Sequence, residues 1–547
     1  MYIAPNTTVR LIKDCPLDNK YEHTIFFLTE TAQYNYFYLT LTGLNFTAQT
    51  YQRVNRNIMR VAVSADTIYN YNYLMFQNTA YGNKWFYAFI TKIDYVNNVT
   101  AEITYELDVM QTWHFAYDLA QCFVVREHSS TDVPGDNLVP ENLETGEYVC
   151  ASSGIDNTLA ELSLVVACTF DATWDATTEE FADYTKSDGG TYSQLYTGLG
   201  YHVFPSGFYP LDDPVHPGEW GPDICKKFIA NAGAHSSGIV SVFLMPTCFV
   251  TPEGFASFPA THIHSVTKAV TGTINGYTPK NNKLFTFPYN FLYVTNQQGN
   301  GAAYPYEFFN TPSPNEGSCQ FDVAGDMSPN PSVILRPMHY KGVQVNSDEK
   351  MVLGGYPQLP FNIDAFKAWL AMNAANIAVD ALSSATTMVT GVASGNPGAV
   401  MGGLSGMART AANVYTHSLM PNQARGGNGS ITACALRIQN FLFMRKCIRA
   451  EFAEIIDNFF TVYGYACHKV KRPNRSVRPR WNYVKTDGCK IITGYPSDAT
   501  ATQTPPAAGV PAEDAKKIED IYNSGITFWK QPWNMGDYSL SNALPST

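Results

Sequence analysis

Charge is scarce in this chain, at 15% of its residues, and what there is leans one way, to a formal net charge of −11. That balance excludes general attraction to nucleic-acid phosphates, which rests on clustered Lys and Arg releasing counterions. No run of about 20 strongly apolar residues marks an ordinary transmembrane helix. The start, MYIAPNTTVRLIKDCPL, lacks the charged and apolar regions of a secretory signal, so no export is expected. Eleven cysteines occur without a CxxC pair or regular spacing, and Cys122, Cys168 and Cys248 sit in apolar runs. Buried free thiols and assembly in a reducing compartment are therefore expected. HExxH, GxSxG, Walker-A and strand-linked GxGxxG patterns are missing, which removes the common signatures of hydrolases and nucleotide enzymes. His262 and His264 could share one strand face, but a metal needs a third ligand and none is evident, so neither metal nor cofactor is expected.

What is abundant is aromatic: 34 Tyr and 32 Phe within an apolar fraction of 45%. Tyr, Phe, Thr and Asn at this density favour half-buried strands and their turns. The expected fold is mainly β, and 547 residues suggest three or four units at roughly 100–200 residues each. KWFYAFITKIDYV alternates Trp85, Tyr87, Phe89, Thr91, Ile93 and Tyr95 with Phe86, Ala88, Ile90, Lys92 and Asp94, and its aromatic start predicts that both faces are covered there. Asn97 and Asn98 supply a turn, and VTAEITYELDV returns with Glu102, Thr104, Glu106 and Asp108 on one side. On a monomer that acidic face is solvated; in a ring of copies Glu102, Glu106 and Asp108 could line a bore that repels DNA.

Residues 126–345 are richer in Pro, Gly and Asp, with short apolar strands such as LSLVVACTF and GIVSVFLMPTCFV. YPQLPF, at 356–361, reads as a linker. Beyond it strand signals vanish: DAFKAWLAMNAANIAVDALSSATTMV fits a helix, GNPG at 395–398 breaks it, and AVMGGLSGMARTAANVYTHSL resumes. From Ala381 to Ala408 there are 28 residues without a formal charge. Gly391 and Gly395 are four apart, as are Gly398, Gly402 and Gly406, a spacing that lets backbones approach closely. Read alone, the stretch fits either a Gly/Ala-rich loop or a packed internal hairpin, and its marginal hydrophobicity would also suit conditional insertion into a bilayer.

After a Gly-rich hinge at 420–430, Ile448, Phe452, Ile455, Phe459 and Tyr463 carry the period of an amphipathic helix. Strands follow at GYACHKVKR and RWNYVKT, then a helix at AEDAKKIEDIYN and a last strand, ITFWK. The two basic strands suggest a hairpin bearing Lys469, Lys471, Arg472, Arg475, Arg478 and Arg480. These charges read as a solvated turn or as ion pairs to a neighbouring copy, with a phosphate contact as the alternative.

Several of these blocks carry a resemblance. YGNKWFYAFITKIDY at 81–95, ELDVMQTW at 106–113, FVVREH at 123–128, the long block AEFAEIIDNFFTVYGYACHKVKRPNRSVRPRWNYVKTDGC at 450–489, NSGITFW and NMGDYS are similar to the distal tail knob proteins of phi-29-like short-tailed bacteriophages. The resemblance implies a tail-tube and baseplate-hub type of fold, built of β-barrel or sandwich tube domains with a few helices and one long apolar helical-hairpin or loop insertion. It also implies a non-enzymatic virion protein at the distal tip of the tail, assembled in the host cytoplasm as a homohexamer. Its partners would be other tail proteins of the proximal tube or collar, viral DNA passing through the lumen, and lipid of the host cytoplasmic membrane during ejection.

On that basis residues 1–128 with 431–547 are expected to form the tube, 129–361 a second β-rich region without matched blocks, and 362–430 a membrane-active plug with its tip near 395–398. The plug residues would be Trp369, Leu370, Ile377, Leu382, Met388, Val392, Gly395, Pro397, Gly398, Val400, Met401, Gly402, Leu404, Gly406 and Met407. The alternatives from the residues alone are a cell-wall glycan hydrolase, with carboxylates in the unmatched middle, and a glycan-binding adhesin.

Overall fold

The strand Trp85–Asn97 is buried on both faces at its start, where Tyr87 and Phe89 enter one core and Ala88 enters another. That sandwiching follows from an aromatic run in which neither face is polar. In the computed structural model, which describes residues 6–49, 57–79, 82–186, 191–192, 195–196, 199–232, 235, 238–250, 261–326, 331–341, 351–353, 358–359, 439–493 and 509–544, the chain divides into two compact units. Unit 1 comprises Met1–Glu147, Thr273–Thr286 and Ile448–Thr547; unit 2 comprises Tyr148–Gly272 and Phe287–Cys447. Residues 129–147 and 273–286, expected in the middle region, therefore belong with the two chain ends, while 439–447 belongs to unit 2.

Unit 1 holds a six-stranded antiparallel sheet in the order Gly43–Gln49, Thr7–Lys13, Tyr71–Gln77, Trp85–Asn97, Thr100–Leu107, Ile58–Val61. Alternation along each strand sends Ile12, Tyr73, Met75 and Phe89 to one core and Val9, Leu74, Phe76 and Ile103 to the other. The expected hairpin is present, closing where Asn97 pairs with Thr100. A second sheet runs His23–Ile25, Ile526–Trp529, Trp481–Asp487, Cys122–Glu127, Tyr465–Lys471, its first pair parallel and the rest antiparallel. The two basic strands thus form no hairpin. Cys122–Glu127 lies between them and bonds to both, a long-range pairing that local turn residues do not encode.

The helix expected after the hinge spans Ala450–Tyr463, but its buried side is Ala453, Ile456, Asp457, Phe460 and Thr461. Ile455 is 65% exposed and Tyr463 40% exposed, so the anticipated stripe is rotated, and Ile448 ends the preceding strand. The helix Ala512–Ser524 stops at Gly525, whose φ of 98° suits glycine, and Ile526–Trp529 follows as the last strand.

In unit 2 the apolar strands Leu162–Cys168 and Ile239–Pro246 pair with each other, flanked by Gly200–Pro205 and the short Gln358–Leu359. Part of the anticipated linker is therefore an edge strand. One face of this sheet, through Leu164, Val166 and Cys168, is covered by Ile224, Phe228 and Ile229 of the helix Gly221–Asn231, which carries Pro222 in its first turn. Its other face, through Val165 and Phe243, joins Phe321, Val323 and Leu335 of a sheet ordered Thr261–Thr267, Ser318–Asp326, Ser332–Met338, Met351–Leu353. A further sheet orders Tyr148–Ile155, Leu442–Ile448, Asn290–Thr295 and Gly301–Tyr304. Cys122 and Cys168 are buried free thiols, Cys248 is half-buried, and every cysteine among the described residues is free.

Candidate functional site

The acidic strand Thr100–Leu107 alternates as its sequence requires, with Ile103 and Tyr105 buried and Glu102, Thr104 and Glu106 partly exposed. Arg60 Nε donates to Glu102 Oε2 at 2.8 Å, and Lys92 pairs with Asp94 at 2.9 Å. Glu106 accepts from Lys517 and from Asn19 Nδ2 at 3.0 Å. Burial would raise its pKa, but those two donors hold it below the usual carboxylate value. Asp108 does not share this face. It is buried at the N-cap of the helical turn Val109–Thr112, accepting from Met110 N at 3.0 Å, Gln111 N at 3.1 Å and Tyr73 Oη at 2.8 Å. Capping, not exposure, explains an Asp at that position.

The basic residues separate into three groups. Lys469 and Arg472 are exposed. Lys471, Arg475 and Arg480 are engaged within the chain: Lys471 with the fully buried Glu127, Arg475 with Asp118 at 3.5 Å, and Arg480 Nη1 with Gln531 Oε1 at 2.8 Å. Arg478 is buried, 3% exposed, so it is neither a solvated turn residue nor a surface contact. Glu127 also accepts from Asn474 N at 2.8 Å and Asn474 Nδ2 at 2.9 Å, which ties the loop between the basic strands to the sheet.

A buried polar network in unit 1 escaped the sequence reading. Glu141 joins Arg126 and Lys283 Nζ, the latter at 2.8 Å, and accepts from Ala466 N at 2.8 Å. Burial lowers the Lys283 pKa while Glu141 opposes the shift. Arg126 lies 4.6 Å over the Phe459 ring and donates to Gly464 O at 2.6 Å. Asp457, on the buried side of its helix, accepts from Tyr277 Oη at 2.8 Å, Lys280 N at 2.7 Å and Asn281 N at 3.0 Å. The signal available in sequence was FVVREH, a block already singled out, which contains Arg126, Glu127 and His128.

In unit 2 the two strand-mates His262 and His264 do meet a third group, the buried Asp156. His262 Nε2 is 2.7 Å from Oδ2 and His264 Nδ1 is 3.4 Å from Oδ1. Burial would raise the Asp156 pKa, yet the imidazole neighbours hold it below the usual value. Asp156 also caps the turn Asn157–Ala160 through Thr158 N at 3.1 Å. Among the described residues no group of three or more His, Cys, Asp or Glu side chains is arranged to hold a metal ion. Nor is any helix among them long and apolar enough to cross a membrane. The anticipated plug residues, from Trp369 to Met407, all lie outside the described residues.

The profile of the family described as "Bacillus phage phi29, Tail knob protein gp9, C-terminal domain" matches residues 255–543. That of "Caudoviral major tail protein N-terminus" matches residues 5–118. The chain is 22% identical to the tail knob protein gp9 of Bacillus phage PZA, 23% to that of Bacillus phage phi29 and 25% to that of Bacillus phage B103, in each case over 98% of both chains. Its fold is similar to the structure of the bacteriophage C1 tail knob protein, gp12, with a TM-score of 0.64 at 13% identity, covering 98% of this chain and 100% of the other.

Proposed function

The chain belongs to the phi29 tail knob protein gp9 family, and on that footing we propose that it forms the distal, membrane-opening tube of a short phage tail. A tail knob protein is a structural component of the virion, at the tail. Six copies close into a ring around a DNA-sized bore, joined above to other tail proteins and carrying out no reaction of their own. The observation that carries the membrane step is the 28-residue uncharged segment from Ala381 to Ala408, set in a chain that otherwise matches tail knob proteins end to end.

In the stored particle these Gly-, Ala- and Met-rich segments cover one another's weakly apolar faces inside the bore. On ejection they leave it, and the lipid of the host cytoplasmic membrane becomes their apolar partner. DNA then passes a lumen whose acid groups, Glu102 and Glu106 among them, discourage adhesion. Of the six basic residues singled out between positions 469 and 480, Lys469 and Arg472 are the two exposed enough to meet a neighbouring copy or DNA.

Deletion of residues 381–408 tests this reading. The shortened protein should assemble into the same six-fold ring by electron microscopy and lose its ability to release dye from liposomes. Undiminished leakage at matched assembly state would refute the plug, and rings of another symmetry would refute the hexamer.

A further inference from the structure

Unit 1 contains a cleft of about 340 Å³ lined by Arg478, His128, Lys280, Asn281, Thr461 and Asn542, among others. Its size is at the low end for small-ligand clefts, roughly 300–1,000 Å³. Arg478 is the anomaly within it. The side chain is 3% exposed, its Nε has no hydrogen-bond partner, and no carboxylate among the described residues forms an ion pair with it. Elsewhere in this unit Lys283 and the half-buried Arg126 share Glu141 and Lys471 has Glu127, while buried Arg10, also without a carboxylate among the described residues and with an unpartnered Nε, spends its Nη1 and Nη2 on Asn45 Oδ1 and Leu41 O. A guanidinium cannot escape burial by losing its proton, so an unmatched one costs folding free energy.

The neighbouring carboxylates act on Arg478 through the field only, and none among the described residues gives it a direct partner. Asp132, whose carboxyl feels the Arg478 field, is already held by Tyr465 Oη and the Asn282 N–H. Asp457 is saturated by Tyr277, Lys280 N and Asn281. His128 accepts from Tyr483 N at 2.8 Å and bonds to Thr461 O at 3.1 Å, so both its ring nitrogens are used. Asn542 is spent on the Arg480 and Trp481 backbone. What remains to face the cleft is the guanidinium of Arg478, with the exposed Lys280 at the cleft lining.

The geometry points to an oxyanion site in which the fork of Arg478 grips a phosphate group and Lys280 adds a second positive charge. Arginine's planar donors match phosphate oxygens in pairs, and lysine serves as a point charge beside them. The phosphate could be a free ion or part of an ester, and the two sources share this chemistry.

The test is thermal unfolding and calorimetric titration of the full-length protein with inorganic phosphate, ionic strength being held constant with chloride. Wild type should show a saturable rise in Tm and a measurable heat of binding. Arg478→Gln should unfold no lower than wild type without phosphate and bind it on the order of tenfold or more weakly. Lys280→Gln, at an exposed position, should weaken binding by less and keeps the comparison available if Arg478→Gln fails to fold. Glycerol 3-phosphate and a short oligothymidylate distinguish the sources: tighter Arg478-dependent binding of either assigns the site to an ester, equal or weaker binding to the free ion. No saturable response in wild type, or an equal response in Arg478→Gln, overturns the proposal.

Discussion

Asn281 donates twice to Asp457 Oδ1, from its backbone N–H at 3.0 Å and from its side-chain amide at 2.8 Å, across 176 residues of chain. With Tyr277 and the Lys280 N–H on Oδ2, these bonds pin residues 277–281 to the helix Ala450–Tyr463. Asp457→Ala would leave several buried donors without an acceptor and should cost about 2–4 kcal/mol in denaturant unfolding. Asp457→Asn keeps one acceptor and should cost less. Equal stability of Asp457→Ala and wild type would remove the anchor from the account.

That anchor also shows where sequence stopped being informative. The helix was legible from its apolar period, but counting Phe452, Ile455, Phe459 and Tyr463 as the inward stripe left out Asp457, because a buried carboxylate looks polar until its donors are known. Those donors come from a segment far away in the chain. The start of Trp85–Asn97 was legible on both faces because apolar residues occupy both. The two basic strands were legible as strands, whereas their separation by Cys122–Glu127 depends on pairing that no turn between them specifies. Charge meant least by itself: Asp108 and Arg478 look like surface residues in sequence and are both buried.

The rotated helix face can be read from two adjacent residues. Ile456 is 2% exposed and Ile455 65% exposed. Ile456→Ala should cost about 2–5 kcal/mol, and Ile455→Ala should stay within about 0.5 kcal/mol of wild type. Chemical denaturation of the two variants side by side gives the answer, and a larger loss at Ile455 would restore the stripe expected from sequence.

Asp108 should make stability depend on pH. Burial raises its pKa from 3.8 to about 6, against the opposing hydrogen bonds from Tyr73, Gln111 and Met110. The folded chain therefore binds this proton more tightly than the unfolded one. Its contribution is fully present below about pH 4 and is lost as pH rises through about 6. Asp108→Asn preserves a capping oxygen and cannot ionise. Between pH 4 and 7 the variant should gain about 2–3 kcal/mol relative to wild type in unfolding free energy. Parallel pH profiles would mean that Asp108 ionises as easily folded as unfolded.

Glu141 holds two buried cations, so its loss should be worse than the loss of either one. Glu141→Leu strands Arg126 and Lys283 and should cost about 3–5 kcal/mol. Lys283→Met leaves Glu141 with Arg126 and the Ala466 N–H and should cost less. The double variant should be more stable than Glu141→Leu alone, because one of the two stranded charges is gone. A double-mutant cycle measures this coupling, and additive losses would show that the Lys283 and Glu141 charges do not depend on each other.

Gly464 is the residue on which the turn from helix to basic strand depends. Its φ of 65° and ψ of −151° belong to a region that other residues avoid. A Cβ there would sit 2.2 Å from the carbonyl oxygen of Glu127, which is backbone and cannot rotate aside. Relief would require Tyr465–Lys471 to move away from Cys122–Glu127, breaking the pairing of Tyr465 with Glu127. The strained backbone alone costs roughly 1–3 kcal/mol, and the clash adds to it. Gly464→Ala should therefore be destabilised by more than an exposed glycine such as Gly536, which has a φ of 85° and no atom within 4 Å of an added Cβ. Comparing Gly464→Ala with Gly536→Ala separates the two costs: the second carries only the backbone strain, and equal losses would show that the approach of Glu127 imposes no constraint on position 464.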